Sequence, residues 1–337
     1  MIPMVGAGPR YLVTGASGFV GRFVVDELLA DGAEVAASTR RPAEAFPDGV
    51  HVVPVVEAGR GIDWSTAVQG AQTVLHLAGR VHMMNDGAAD PDPIAEFRRV
   101  NVEGTRMLAE QAAAAGVRRF VLVSSAKAVG GGRPDPYTES TPCVPLDSYS
   151  VSKLEAEHVV REVGESAGME TVILRPPVVY GPRVRANILR LMTMIGAGWP
   201  IPRVGNVRSF IFVRNLSDAI KVCASHPRAA NETFFVADDE AVSSSEFACH
   251  VGRHLGTTVR LLPAPAPAIR LASCIVGRRS EAARFLESFV VDTSRIRDDL
   301  GWVPPYSMAD GIAEMTTWFE MAYPRGTRAS RARGRMP

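Results

Sequence analysis

The stretch that most limits what this chain can fold into is Thr14-Gly15-Ala16-Ser17-Gly18-Phe19-Val20-Gly21. A short apolar run, Tyr11-Leu12-Val13, stands ahead of it. Behind it, apolar residues recur at helical spacing: Phe19, Val20, Phe23, Val24, Leu28 and Leu29. A strand, a glycine turn and a helix in that order form the first unit of a dinucleotide-binding sheet. Three glycines alone say little; the flanking pattern gives them weight. Gly15 would permit the tight turn, Gly18 would let the backbone approach a pyrophosphate, and Gly21 would let the helix sit close to the strand. Ser17, Phe19 and Val20 complete the turn, where free N–H groups at the positive end of the helix face an anion.

Further apolar runs follow at Glu34–Ser38, Val50–Val56, Thr73–Ala78, Phe120–Ser125 and Thr171–Leu174. Helical stretches are expected at 97–115 and 149–167. Apolar strands alternating with helices imply a parallel sheet covered on both faces. After Arg175-Pro176-Pro177 the rhythm changes. Pro, Gly and Arg become frequent, strands are expected at 210–213 and 233–236, and Ser243 with Glu246 makes a capping-box pattern before a helix through Leu255. Pro263-Ala264-Pro265-Ala266-Pro267 reads as a stiff connector. A last helix is expected through Trp318 and Phe319. The ends, 1–9 and 324–337, hold little to bury and are expected to be disordered.

A net charge of +1 argues for no nucleic-acid partner. Cys143, Cys223, Cys249 and Cys274 are far apart and form no CxxC pair, so they read as reduced thiols of a cytoplasmic protein, with no metal site. No apolar run approaches a membrane span.

Tyr149-Ser150-Val151-Ser152-Lys153 opens a helix, and residues four apart share a face. A free phenol, with a pKa near 10, is a poor acid–base group at neutral pH. A nearby ammonium favours the phenolate, so Lys153 is expected to lower the pKa of Tyr149 and fit it to exchange a proton with a sugar or alcohol hydroxyl. Ser125, at the end of the fifth strand, is placed to hold the substrate oxygen, since ligands in such sheets sit beyond the carboxyl ends of the strands.

These residues, with HLAG (76–79), NVEGT (101–105), VSSAKAVG (123–130), RPPVVYGP (175–182), VRSFIFVRNL (207–216) and LGWVPP (300–305), resemble the extended short-chain dehydrogenase/reductases, the group of nucleotide-sugar epimerases, dehydratases and ketoreductases. The resemblance runs from residue 10 to residue 322. It implies an α/β fold: a Rossmann doubly wound parallel sheet, 10–175 plus 207–238, with a smaller mixed C-terminal substrate-binding domain, 176–206 plus 239–323. It implies that Tyr149 is the acid–base, that Lys153 also holds the nicotinamide ribose, and that Ser125 binds the reacting oxygen. Leu77, Ala78 and Gly79 would lie under the cofactor, and His76 would be packed. Asn101 matches an active-site asparagine or caps a helix. Pro177 matches a position near the nicotinamide. Arg208 matches an arginine that grips a diphosphate. Asn187 matches a substrate contact or caps its helix, and Arg80 and His82 would line the pocket. A homodimer is the family's common assembly.

Two departures narrow the activity. Relatives that dehydrate sugars carry an Asp-Glu pair after the serine; here Ala126 and Lys127 stand there, so no 4,6-dehydratase chemistry is expected. At the end of the second strand, where NAD enzymes place an acid for the ribose, stands Thr39, followed by Arg40 and Arg41. An arginine would attract a 2′-phosphate, so NADP(H) is expected ahead of NAD(H). Glu57 would stand near the adenine. The preferred expectation is therefore a 4-keto-sugar reductase acting on a nucleotide sugar. The alternative is an NAD-dependent 4-epimerase of a hexose or N-acetylhexosamine carried on UDP or a lipid diphosphate. A non-catalytic dinucleotide-binding protein is the remote third.

Overall fold

The computed structural model describes residues 10–39, 46–54, 56–58, 61–81, 93–263 and 286–324. The expected disordered ends, apart from Pro324, lie outside these residues. So do nearly all of the proline connector, Cys274, Arg40, Arg41 and His82.

The first half alternates as its apolar runs require. In chain order come β1 (Arg10–Thr14), α1 (Phe19–Ala30), β2 (Glu34–Thr39), β3 (Val50–Pro54), a hairpin of β4 (Val56–Ala58) and β5 (Gly61–Asp63), α2 (Ser65–Val68) and β6 (Thr73–His76). Then follow α3 (Pro93–Phe97), a π-helical turn Arg98–Glu103, α4 (Gly104–Ala114), β7 (Arg119–Val123), α5 (Ser148–Ala167) and β8 (Glu170–Arg175). The second half holds β9 (Val178–Tyr180), α6 (Ala186–Gly196), β10 (Ile201–Arg203), β11 (Arg208–Phe212), α7 (Val213–Ser225), β12 (Thr233–Phe235), β13 (Ala241–Val242), α8 (Ser244–His254), β14 (Leu261–Pro263), α9 (Ser294–Leu300) and α10 (Met308–Ala322). The capping box of Ser243 and Glu246 forms at the start of α8. Among the described residues no helix is long and apolar enough to cross a membrane.

Seven strands form one parallel sheet in the order β3-β2-β1-β6-β7-β8-β12. Successive side chains of a strand point to opposite faces, and here both faces are buried. Val13, Ala37, Leu75, Val121 and Val172 meet α1 and α7 on one side. Leu12, Ala36, Val74, Phe120 and Ile173 meet α2, α4 and α5 on the other. The strands run outward in both directions from the β1–β6 pair, so a crevice opens beyond their carboxyl ends at that reversal.

A third core gathers β9, β11 and helices α6, α8 and α10 around Tyr180, Phe210, Phe212 and Phe247. Tyr180 Oη, Phe212 N and Asn215 Nδ2 all donate to the buried carboxylate of Asp238, at 2.8, 3.0 and 2.7 Å. One acid thereby ties β9, the β11–α7 junction and the chain beyond β12.

Three of the differences from expectation have a visible cause. β3 stops at Pro54, which has no N–H to extend the ladder. Val213 begins α7 instead of ending β11, because the apolar residues from Leu216 to Cys223 follow a helical period onto the sheet. The stretch 239–323 also divides. Ile296 and Leu300 of α9, with Trp302, pack into the first sheet's core beside α7, and Trp302 Nε1 donates to Asp218 Oδ2 at 2.9 Å.

Ile296 is fully buried there. Ile296→Ala is expected to lower stability by about 2–5 kcal/mol, the cost of a large-to-small core change, read as a fall in the urea midpoint at unchanged slope.

Candidate active site

The glycine turn is held by its contacts. Gly15 sits at φ +66°, and a Cβ there would stand 2.7 Å from Ala78 N. Its carbonyl accepts Gly18 N at 2.8 Å. A Cβ on Gly21 would stand 2.7 Å from Ala16 Cα, so Gly21 lets α1 close onto the turn itself. Gly18 caps α1 without a side chain, and no acid occupies the first turn. Backbone donors at the positive end of a helix, with no carboxylate to compete, suit a pyrophosphate. Thr39 Oγ1 donates to Ser17 Oγ at 3.0 Å and ties the end of β2 to this turn. Leu77 and Ala78 are fastened to Thr14 through its carbonyl and hydroxyl, both at 3.3 Å. The residues present therefore fit a dinucleotide at this crevice.

His76 is packed, as expected. Its Nδ1 lies 2.6 Å from Thr14 Oγ1 and its Nε2 2.9 Å from Thr105 Oγ1. Thr105 Oγ1 donates onward to Asn101 O at 2.7 Å, which leaves it to accept from His76. The network thus assigns a neutral Nε2–H imidazole. Burial, with Lys153 beside it, pulls its pKa down to about 3.

Ser125, Tyr149 and Lys153 come together at the carboxyl end of β7. Ser125 starts a short 3₁₀ turn, Ala126–Val129, and its hydroxyl accepts Lys127 N at 3.3 Å. α5 is capped by Asp147, whose carboxylate accepts Ser150 N at 2.8 Å, and this cap sets the first helical turn that carries Tyr149. Tyr149 is half-buried, its ring edge-on to Phe97 with centroids 6.1 Å apart. Burial pushes the phenol up to about 12; the Ser125 hydroxyl opposes this and the Asp147 carboxylate adds to it. The net shift is upward, against the lowering that a neighbouring ammonium alone would give. The buried ammonium donates to Val123 O at 2.8 Å, and burial of the phenol outweighs neighbouring groups. Burial likewise pulls Lys153 down to about 8, with Glu157 working against it.

The other expected residues divide. Asn101 lies inside the π turn, buried, and so caps nothing. Its Oδ1 accepts Arg80 N at 2.7 Å, while its Nδ2 donates to Arg80 O and Ser152 Oγ, each at 3.0 Å. It therefore joins the loop after β6 to the Tyr149 helix. The Arg80 side chain pairs with Glu96 at 3.2 Å. Gly79 lies against Asn101: a Cβ there would stand 3.3 Å from its Oδ1. Pro177 follows Pro176, whose carbonyl accepts Ala126 N at 2.9 Å, beside the Ser125 turn. Arg208 opens β11, half-buried, and donates to Glu287 O at 3.4 Å; burial lowers its pKa. Asn187 is exposed within the first turn of α6, whose cap is Arg185, so its capping alternative falls away. Glu57 lies in β4 with its backbone paired to Ile62; its side chain is outside the described set.

No sequence pattern singles out Thr14 and Thr105, which clamp His76, or Arg175 and Ser124, which meet Glu157. Glu157 had a signal: it is one turn beyond Lys153 on the same face of α5.

A glycine turn at a sheet's reversal point, with serine, tyrosine and lysine beyond the neighbouring strand, is the architecture of an extended short-chain dehydrogenase/reductase. The NAD dependent epimerase/dehydratase family model matches residues 11–237, and the chain belongs to that family. UDP-glucose 4-epimerase of Vibrio cholerae is 34% identical over 316 residues, covering 92% of this chain and 95% of that protein. The structure of MoeE5 in complex with UDP-glucose and NAD superposes with a TM-score of 0.73 at 26% identity, over 93% of this chain and 99% of that one. UDP-glucose 4-epimerase of Thermus thermophilus, in complex with NAD, gives 0.72 at 25% identity, over 93% and 99%.

Two measurements check this site. Gly15→Ala places a methyl against Ala78 N in a left-handed backbone, so nucleotide affinity should fall at least tenfold by calorimetry. His76 is held below its unfolded value, so the unfolded state binds the extra proton between about pH 6.5 and 3, and stability is lost as pH is lowered through that window. Glu27, pushed up to about 7 by burial, acts with the opposite sign above its unfolded value. His76→Asn should therefore flatten the acid side of the stability profile, measured by denaturant unfolding at each pH.

Proposed function

We propose that this protein is an NAD-dependent 4-epimerase of a UDP-linked hexose. The observation that carries the reading is the grouping of Ser125, Tyr149 and Lys153 beside a turn shaped for a pyrophosphate, with Ala126 and Lys127 where a dehydratase needs its acid pair. The relatives named UDP-glucose 4-epimerase support the choice of sugar carrier.

When bound, oxidised NAD supplies a positively charged ring and a reversible acceptor for the electrons and hydrogen of the sugar C4–H bond. The chain's residues do the rest. Tyr149 takes the proton of the C4 hydroxyl as the ketone forms and returns it to the same oxygen once the keto-sugar has presented its other face. A phenol held at about 12 is fully loaded as an acid; for it to act as a base, cationic charge must stand beside it, and the Lys153 ammonium supplies one such charge. The Ser125 hydroxyl holds the sugar oxygen through both directions. Arg208 meets the diphosphate, where a planar guanidinium suits two phosphate oxygens.

A second reading is an NADPH-dependent 4-keto-sugar reductase using the same residues. It is favoured by the end of β2, where the buried Thr39 hydroxyl engages Ser17 and the strand's last residue is not an acid, with Arg40-Arg41 next in the sequence. Acid release of nucleotide from natively purified protein separates the two. Stoichiometric NAD is the expected result, and NADP would select the reductase.

With UDP-galactose as substrate, Tyr149→Phe and Lys153→Met should each lower kcat by about 10²–10⁴-fold, the range of lost acid–base catalysis. In the parent enzyme kcat should decline above about pH 8, as the Lys153 ammonium loses its proton. A pH–rate profile rising through pH 8 would contradict the role given to Lys153.

A further inference from the structure

One buried carboxylate ties together the elements that carry Ser125, Tyr149 and Lys153. Glu157 is fully buried on α5, one turn beyond Lys153 and two beyond Tyr149. Ser124 Oγ donates to its Oε1 at 2.6 Å. Arg175 donates from Nε to Oε1 at 3.0 Å and from Nη2 to Oε2 at 2.6 Å, a two-pronged clasp. Ser124 adjoins Ser125. Arg175 ends β8 and leads through Pro176, whose carbonyl holds Ala126 N, to Pro177. Arg175 is itself held by the Phe235 ring, 5.8 Å from the guanidinium, and by Cys143 Sγ at 3.5 Å from Nη2.

Such an arrangement is costly to bury, and two apolar side chains of similar volume commonly serve stability as well. An apolar pair would neither accept the Ser124 hydroxyl nor set a negative charge one turn from Lys153. We propose that Glu157 is a positioning residue of the active site: its carboxylate, clasped by Arg175, locks the Ser124–Ser125 strand end to the Tyr149 helix and sets a negative charge one helical turn from Lys153. The proposal rests on the functional reading above, in which Lys153 and Ser125 serve Tyr149.

Among the described residues, few groups face Lys153. Tyr149 and Glu157 lie along its own helix, the carbonyl of Val123 comes from β7, and the neutral His76 comes from β6. Arg175 of β8 and Arg161 of α5, 3.7 Å away, reach Glu157. Glu157 is the anion among them.

The sequence makes a direct test practical, because it contains three lysines: Lys127, Lys153 and Lys221. In protein labelled with carbon-13 lysine, the side-chain resonance of Lys153, assigned by its loss in Lys153→Met, reports its protonation during a pH titration. Glu157→Gln keeps the shape and an acceptor for Ser124 but removes the charge; it should lower the Lys153 titration midpoint by about one pH unit. Should that variant fail to fold with Arg175 left unpaired, Glu157→Gln with Arg175→Gln is neutral at both places and should shift the midpoint in the same direction. Ser124→Ala leaves the clasp intact; it should leave the midpoint in place and lower kcat for UDP-galactose about tenfold at unchanged KM, as loosened geometry does. An unmoved Lys153 midpoint in the neutral variants, or full kcat in Ser124→Ala, overturns the proposal. Failure of the functional reading looks different: Tyr149→Phe would keep the parent's turnover, or the parent would turn over no UDP-galactose, while the lysine titration still reads Glu157.

Discussion

The structure is referenced throughout to one close approach, that of the Gly15 backbone to Ala78. β1 and β6 lie side by side, but the chain leaves them toward opposite faces of the sheet, so their carboxyl ends part there, and the turn after β1 presses on the loop after β6. A side chain at residue 15 would prise the two loops apart. Thr14 and Thr39 hold the arrangement from below and from β2. The helix start that faces an anion is thereby fixed against the loop after β6 and the end of β2.

From that reference the site is assembled by buried polar groups that each satisfy two elements at once. His76 joins β1 to α4 through two threonines. Asn101 joins the loop after β6 to α5, and a π turn accommodates it, a local widening common near functional sites. Lys153 joins α5 to β7, and Glu157 joins α5 to β7 and β8. An unsatisfied buried polar group is expensive, so each such link fixes geometry more tightly than apolar packing would. In the smaller core Asp238 plays the same part, holding β9 and the start of α7 while the aromatic rings of Tyr180, Phe212 and Phe247 fill the space.

The electrostatics follow from the same burial. The phenol of Tyr149 is pushed up, and the amine of Lys153 and the imidazole of His76 are pulled down; in each the neutral form gains. Burial therefore leaves the pair short of the charge that proton abstraction requires, and the surrounding groups must restore it.

Much of this was legible in the chain alone. The order of strands and helices, the glycine turn and the shared face of Tyr149 and Lys153 follow from periodicity and from residues a few positions apart, because local backbone geometry repeats every two or 3.6 residues. Only the tertiary structure decided the rest: that Arg175 meets Glu157, that Thr14 and Thr105 clamp His76, and that Ile296 to Trp302 return to the first sheet. Those partners are distant in sequence. Which of them meet depends on strand order, and that order is set by the burial of the whole apolar surface, which no single stretch of sequence contains.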